Sequence, residues 1–425
     1  MAWFDRNSQA SKTLYKIIQE SGSEIMNKPD EYHKSSYVTK PVFDPEINAK
    51  QDEKYPRIAI VDTQITGHHL EYIYGLCNEI SKNNIKNRID VYCDEHIYEY
   101  IKRNDLSALA EEGNFNIKSG VLSKIEGNWF EITFKAIRNI KKLQLYDNII
   151  FLNLNAYLPA LYLISKFKTP LFSFSGILFN PHVRKSNSNK NFLRDHVLQT
   201  VITEANCRIF ILNDKEAVYS LNKKYSTDAF EVLPDPIPKF YYSNIHPLQN
   251  NVKKELSFTM IGAISNRKGI YQFLKAIKFS KSNNKFIIAG SVNKENANLI
   301  AEKVRKLSQA GIDINLYNKF LSNKEFAQFI VDSDVIVMPY LTDGASSGIL
   351  GHAAYNKKTV IGPNYGLLGE IIEKYDLGVT LNPRNVEKFA ELIANNSWIE
   401  VAKNSVNDEF IRKKTYSVFF QKLIK

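Results

Sequence analysis

From Ser333 to Glu370 the chain reads SDVIVMPYLTDGASSGILGHAAYNKKTVIGPNYGLLGE, the stretch that most narrows the choice of fold. Asp334 to Pro339 is a short apolar run closed by a proline, which predicts a strand buried on both faces. A loop of Gly, Ser and Asp follows, then Ile349 to Tyr355, where Leu350, Ala353 and Ala354 supply the apolar stripe of a helix. Ser346, Ser347 and Gly348 therefore fall at that helix's first turn, where unpaired N–H groups and the positive end of the dipole suit a phosphate. Gly366 to Glu370 repeats the device after a strand at Thr359 to Ile361. Such units build the crevice at the carboxyl ends of a doubly wound parallel sheet.

The same alternation begins at Arg57. Strands are predicted at Ile58 to Val61, Ile89 to Cys93, Asn116 to Lys118, Asn148 to Leu152, Leu171 to Phe174, Ile209 to Leu212 and Ala229 to Val232. Between them lie helical patterns such as His69 to Ser81, with Leu70, Ile73, Tyr74, Cys77 and Ile80 on one face. Three prolines within Leu233 to Lys239 mark a joint, and a polar tract runs on to Lys254. A second series follows: Ser257 to Ile261, Phe286 to Ala289, Ile312 to Leu316, Val335 to Met338, Thr359 to Ile361 and Gly378 to Leu381. The reading is α/β, with a Rossmann-like domain over 55–233, a linker over 234–254 and a second Rossmann-like domain over 255–400. Residues 401–425 predict a terminal amphipathic helix, and 1–54 an extension that includes a short helix at Ser11 to Ser21.

Composition narrows the class. At 425 residues the chain exceeds the ~250–300 at which single cores stop growing, so two domains are expected. No run approaches the ~18 apolar residues of a spanning helix, and no signal peptide is evident. Cys77, Cys93 and Cys207 are widely spaced without a CxxC, which argues against a disulfide framework or a zinc site and fits a reducing cytoplasm. The net charge of +11 attracts anions, nucleoside diphosphates among them. Nucleic-acid binding would rest on charge alone, since no aromatic-basic motif accompanies it, and is not expected. Arg184, Lys185 and Lys190 leave open a peripheral contact with the inner face of a membrane.

Gly262 to Gly269, GAISNRKG, also joins a strand to a helix, and its Arg267 and Lys268 add cations to backbone donors, a cradle for a diphosphate. With this loop, the strand ending at Pro339-Tyr340, the Ser-Ser-Gly turn, Ala353 and Ala354, Lys357 to Ile361 and Gly366 to Glu370, the second half resembles the family 4 glycosyltransferases. These are retaining enzymes of the GT-B fold, in which two Rossmann-like domains face a central crevice and the C-terminal helix crosses back to the first. From about Tyr55 the first half resembles them more weakly.

The resemblance implies transfer of a hexose-type residue from a UDP- or GDP-sugar to a hydroxyl acceptor: a glycan, a lipid-linked species or a protein. The setting would be bacterial surface polysaccharide or glycoconjugate synthesis. The nucleotide sugar is a co-substrate; no cofactor is expected, and no metal, since no Asp-x-Asp stands in the needed context. The implied donor-binding residues are Gly262, Arg267, Lys268, Asp343, Ser346, Ser347, Gly348, His352 and Glu370. His352 and Gly344, beside Asp343, stand where the family carries its Glu-x7-Glu pair. On the acceptor side lie Gly67, His68 and Arg184, with His69 and His182 as catalytic candidates. A helix-packing role for His352, a helix cap for His69 and dipole compensation for Glu370 remain open beside these roles. The missing Glu pair motivates an alternative, a non-catalytic GT-B subunit that binds nucleotide sugar or stabilises a partner transferase.

Overall fold

The computed structural model describes residues 55–64, 69–83, 87–103, 115–166, 172–179, 181, 189–247, 255–344, 347–395, 398 and 408–424. The predicted helix at Ser11 to Ser21 lies outside them. Among the described residues thirteen strands form two wholly parallel sheets. The first is ordered β3-β2-β1-β4-β5-β6-β7: β1 Arg57–Asp62, β2 Arg88–Cys93, β3 Phe115–Ser119, β4 Asn148–Phe151, β5 Phe174–Ile177, β6 Cys207–Leu212 and β7 Phe230–Leu233. The second is ordered β10-β9-β8-β11-β12-β13: β8 Ser257–Ile261, β9 Lys285–Ala289, β10 Ile314–Tyr317, β11 Val335–Val337, β12 Thr359–Pro363 and β13 Gly378–Leu381.

Parallel pairing requires helical crossovers, so both faces of each sheet are covered and the central strands are apolar throughout. One face of the first sheet is packed by Ala136, Ile140, Leu158, Leu161, Val201 and Leu221. The opposite face is packed by Ile73, Leu76, Cys77 and Ile97, and by Phe419, Phe420 and Leu423 from the far end of the chain. The second sheet is likewise packed on both faces. Strand order reverses at the β1/β4 pair in the first sheet and at β8/β11 in the second. Those two switch points are where an open sheet leaves room for a ligand.

Two elements differ from the expectation. The fifth strand runs Phe174–Ile177, not Leu171 to Phe174, with Phe174 opposite Ile149 and Cys207. Ser175 and Gly176 conceal it from an apolar-pattern reading, and a Cβ on Gly176 would lie 2.9 Å from the Phe151 carbonyl oxygen and 3.1 Å from Leu154 Cβ. The terminal segment is two helices, Asp408–Arg412 and Tyr416–Ile424. Between them the Lys414 carbonyl accepts the Ile237 N–H of the joint (3.0 Å) and Thr415 caps the second helix through the Val418 N–H (3.3 Å). That second helix lies on the first domain, with Phe419 stacked on Tyr72 at 5.2 Å and the Lys422 carbonyl accepting from Arg208.

Lys414 is buried at this joint, where its ammonium donates to the Asn213 side chain. Burial holds its pKa down to about 8 against an ordinary 10.5, despite the nearby Asp235 charge. Between those values the unfolded chain binds the extra proton, so stability rises with pH through that window and the penalty is full below it. Relative to Lys414→Met, the native protein is expected to gain stability as pH rises from about 8 to about 10 in paired urea melts. A difference independent of pH would contradict this burial.

Cys77, Cys93 and Cys207 are unpaired and buried. Among the described residues no helix is long and apolar enough to cross a membrane.

Candidate functional site

On the second domain, β8 is followed by Gly262, whose φ of +95° turns the chain towards a single 3-10 turn at Asn266–Lys268. Gly269 then opens the helix Ile270–Ser280. A Cβ placed on Gly262 would meet Lys268 Nζ at 3.3 Å and Ile349 Cδ1 at 3.1 Å. The ammonium therefore rests against Gly262, beside the first turn of the helix Gly348–Tyr355. It also lies 5.4 Å from the centroid of the Tyr340 ring. The Tyr340 hydroxyl is 3.1 Å from Ser347 Oγ, at the N-cap of that helix.

The three loops are held together by main-chain bonds. The Leu341 N–H donates to the Arg267 carbonyl (2.9 Å), and the Leu367 N–H donates to the Asp343 carbonyl (2.9 Å). Tyr365 Oη donates to the Tyr340 carbonyl at 3.0 Å. The wall thus presents one ammonium and the start of an eight-residue helix, whose Ser347 side chain caps no N–H group. Such a surface neutralises a polyphosphate through charge and through donors already in place. Thr342 Oγ1 in the same loop is buried without a hydrogen-bond partner. A hydroxyl in that state is available to a ligand, and nothing in the sequence set it apart from other loop threonines.

On the first domain, β1 ends in Asp62 and the next described helix begins with His69. Their side chains meet, Asp62 Oδ2 to His69 Nδ1, at 2.5 Å with the carboxylate buried. Phe179 lies edge-on to the imidazole (6.4 Å, 64°), and Asn155 clamps its backbone, accepting the Phe179 N–H (2.7 Å) and donating to its carbonyl (3.1 Å). Tyr72 Oη donates to Asp235 at 2.7 Å. Leu178, Phe179, Pro181 and Asp235 face Gly344, Gly348 and Leu367 of the second domain across a crevice enclosing about 70 Å³. Ligand sites usually hold roughly 300–1,000 Å³, so a nucleotide sugar needs this part of the crevice wider than it stands here.

Gly262, Lys268, Ser347 and Gly348 are thereby brought together. The side chains of Arg267, Asp343 and Glu370 are exposed, Glu370 on the helix Gly366–Lys374. Gly67, His68, His182, Arg184 and Ser346 lie outside the described residues, as do Lys185 and the side chain of Lys190.

His352 is packed among aromatic side chains, the helix-packing role left open beside donor binding. Its ring is only 1% exposed, stacked on Tyr241 (5.8 Å, 17°) and edge-on to Phe326 at 4.8 Å. The Tyr242 hydroxyl, whose pKa burial pushes far above its ordinary range, is hydrogen-bonded with His352 Nδ1 at 2.7 Å. Nε2 points to Glu71 of the first domain, 4.0 Å away. Its position on Gly348–Tyr355 thus sets the imidazole against the Tyr241-Tyr242 turn of the domain joint. Asp62 and Asn155 were missed by the sequence reading; the only signal for Asp62 was an acidic residue closing an apolar strand.

Two parallel-sheet Rossmann-like domains with their strand ends turned to one crevice define the GT-B fold. Residues 243–400, covering most of the second domain, match the family described as "Glycosyl transferases group 1". No curated protein matches the chain. Among solved structures, sucrose-phosphate synthase from Thermosynechococcus elongatus aligns with a TM-score of 0.61 and 11% identity, covering 87% of this chain and 97% of that one. HepE from Anabaena, solved with UDP and glucose, aligns at 0.62 and 10% identity over 87% of this chain and 98% of that one. WaaG, a glycosyltransferase involved in lipopolysaccharide biosynthesis, aligns at 0.58 and 13% identity over 86% and 98%. At such identity the likeness is one of fold.

Proposed function

We propose that the protein is a retaining glycosyltransferase that moves a hexose-type sugar from a UDP- or GDP-sugar to a hydroxyl of a glycan, lipid-linked or protein acceptor. The observation that carries this reading is the placement of the Lys268 ammonium against Gly262, at the foot of the Gly348–Tyr355 helix. The group 1 match over the same domain supports it, as does a fold-mate holding UDP and glucose. In this reading the departing diphosphate is neutralised by Lys268 and the helix start without a metal ion. Its oxygen takes the acceptor's proton as the new glycosidic bond forms on the same face. Bacterial surface glycans are the proposed product class, in line with the lipopolysaccharide role of WaaG. The proposed location is the cytoplasm, at the inner face of the membrane where acceptors of that class are presented.

A thermal-shift series with UDP, GDP and their sugars tests the reading. At about 100 Kd a ligand confined to the native state adds roughly 3 kcal/mol, or about 5–10 °C for a domain of this size. The expected result is such a shift with one nucleotide, and turnover of its sugar that persists in EDTA. A flat series would end the proposal. The buried, joint-facing His352 favours a second reading, a nucleotide-sugar-binding subunit without catalysis, whose signature is a shift with no turnover of any sugar.

A further inference from the structure

The Asp62–His69 contact carries a consequence for the reaction. Asp62 is the last residue of β1 and His69 the first of the helix His69–Lys82, so the pair joins a strand end to a helix start at the sheet's switch point. A carboxylate with so little solvent contact is costly unless each oxygen finds a donor. Here Oδ1 accepts the Gln64 N–H at 3.2 Å and Oδ2 meets His69 Nδ1 at 2.5 Å. Were Asp62 only a helix cap, its oxygens would take N–H groups of the helix's first turn; among the described contacts neither does.

An ionised carboxylate only accepts hydrogen bonds, so its neighbour Nδ1 must carry a proton. In the neutral ring the lone pair is then left on Nε2, and the tautomer is fixed by the partner. Among the described residues Nε2 has no hydrogen-bond partner, and the imidazole keeps 10% of its side-chain surface open. The ring is held edge-on by Phe179, itself part of the crevice wall.

We propose that Asp62 is a positioning residue for the transfer reaction: it locks His69 as the Nδ1–H tautomer so that Nε2 accepts a hydrogen bond from the acceptor, a sugar hydroxyl or, in donor hydrolysis, water. The proposal rests on the transferase reading above. It adds that the first domain holds its acceptor through a buried acid–imidazole pair and not through His69 alone. His69 takes no proton in this scheme. It orients the acceptor, while the proton passes to the leaving diphosphate as the carbon–oxygen bond to phosphate breaks.

Asp62→Asn, His69→Gln and His69→Ala provide the test. Hydrolysis of the UDP- or GDP-sugar turned over fastest by the wild type is measured alongside 15N NMR of the imidazole nitrogens in ligand-free protein. The expected spectrum is Nδ1–H in the wild type and a swap towards Nε2–H in Asp62→Asn, whose amide can donate to Nδ1. Asp62→Asn and His69→Ala are expected to lower kcat about 10- to 100-fold with the donor KM within about twofold, because the donor wall is untouched. His69→Gln, which retains an acceptor atom, should recover part of that loss. A wild-type Nε2–H spectrum, or an Asp62→Asn kcat within twofold of wild type with unchanged melting, would overturn the positioning role while leaving the transferase reading intact. No turnover by the wild type with any donor would instead defeat the transferase reading and this inference with it, and the NMR result would then stand only as a description of the pair.

Discussion

Replacing Lys268 with alanine is expected to reduce nucleotide-sugar turnover by about 10²- to 10³-fold, the loss typical when one preorganised electrostatic group is removed from a site of developing negative charge. The Nζ atom lies in the angle between Gly262 and Ile349, with the Tyr340 ring beneath it. Cutting the side chain back removes an ammonium that lies beside the start of Gly348–Tyr355. Arginine at 268 should not restore the rate, because a planar guanidinium does not fit a niche shaped around a single nitrogen. Initial rates of nucleotide release, with melting curves to show an intact fold, measure the effect. A variant within fivefold of wild type would place the diphosphate elsewhere.

The largest effect on stability is expected from Gly269→Ala. Gly269 has a φ of +79°, and a Cβ there would lie 1.9 Å from the Pro339 carbonyl oxygen and 2.9 Å from its carbon. Neither atom is a flexible side-chain end; both belong to the backbone that follows β11. The left-handed conformation alone costs an L residue about 1–2 kcal/mol, and the collision adds to it, so a loss of roughly 3–5 kcal/mol is expected in urea melts. Gly311→Ala separates the two contributions. Its φ of +86° is similar but no atom lies within 4 Å of the added carbon, so it should lose only the conformational part, about 1 kcal/mol. Equal losses in the two variants would mean that the loop between β8 and its helix yields freely, against the close fit of Gly269 on Pro339.

Much of the fold was legible because a strand buried on both faces must be apolar along its whole length. Ser257–Ile261 and Gly378–Leu381 lie at their predicted bounds, and the small-residue turns after β8 and β12 lie where Gly announced them. Ser175 and Gly176 hid β5 for the opposite reason: a strand crossed closely by a helix needs small residues, which read as loop. The site was less legible. A resemblance lined up His352 with a ligand-binding glutamate, yet neither Tyr241 and Tyr242 from the joint nor Glu71 from the first helix can be anticipated as its neighbours from linear order. Asp62 pairs with His69 only because a strand end and a helix start meet in space, a juxtaposition that composition does not encode.

The helix Tyr416–Ile424 has a bearing on how the protein is made. Phe419, Phe420 and Leu423 complete one face of the first domain's core, packed against Ile73 and Leu76. During synthesis the amino-terminal sheet therefore emerges with an uncovered apolar surface and must wait until Tyr416–Ile424 has left the ribosome. Its two lobes cannot mature one after the other. The first becomes native only after the second has been translated, and premature termination anywhere in the second lobe would release a product with a sticky, unfinished face.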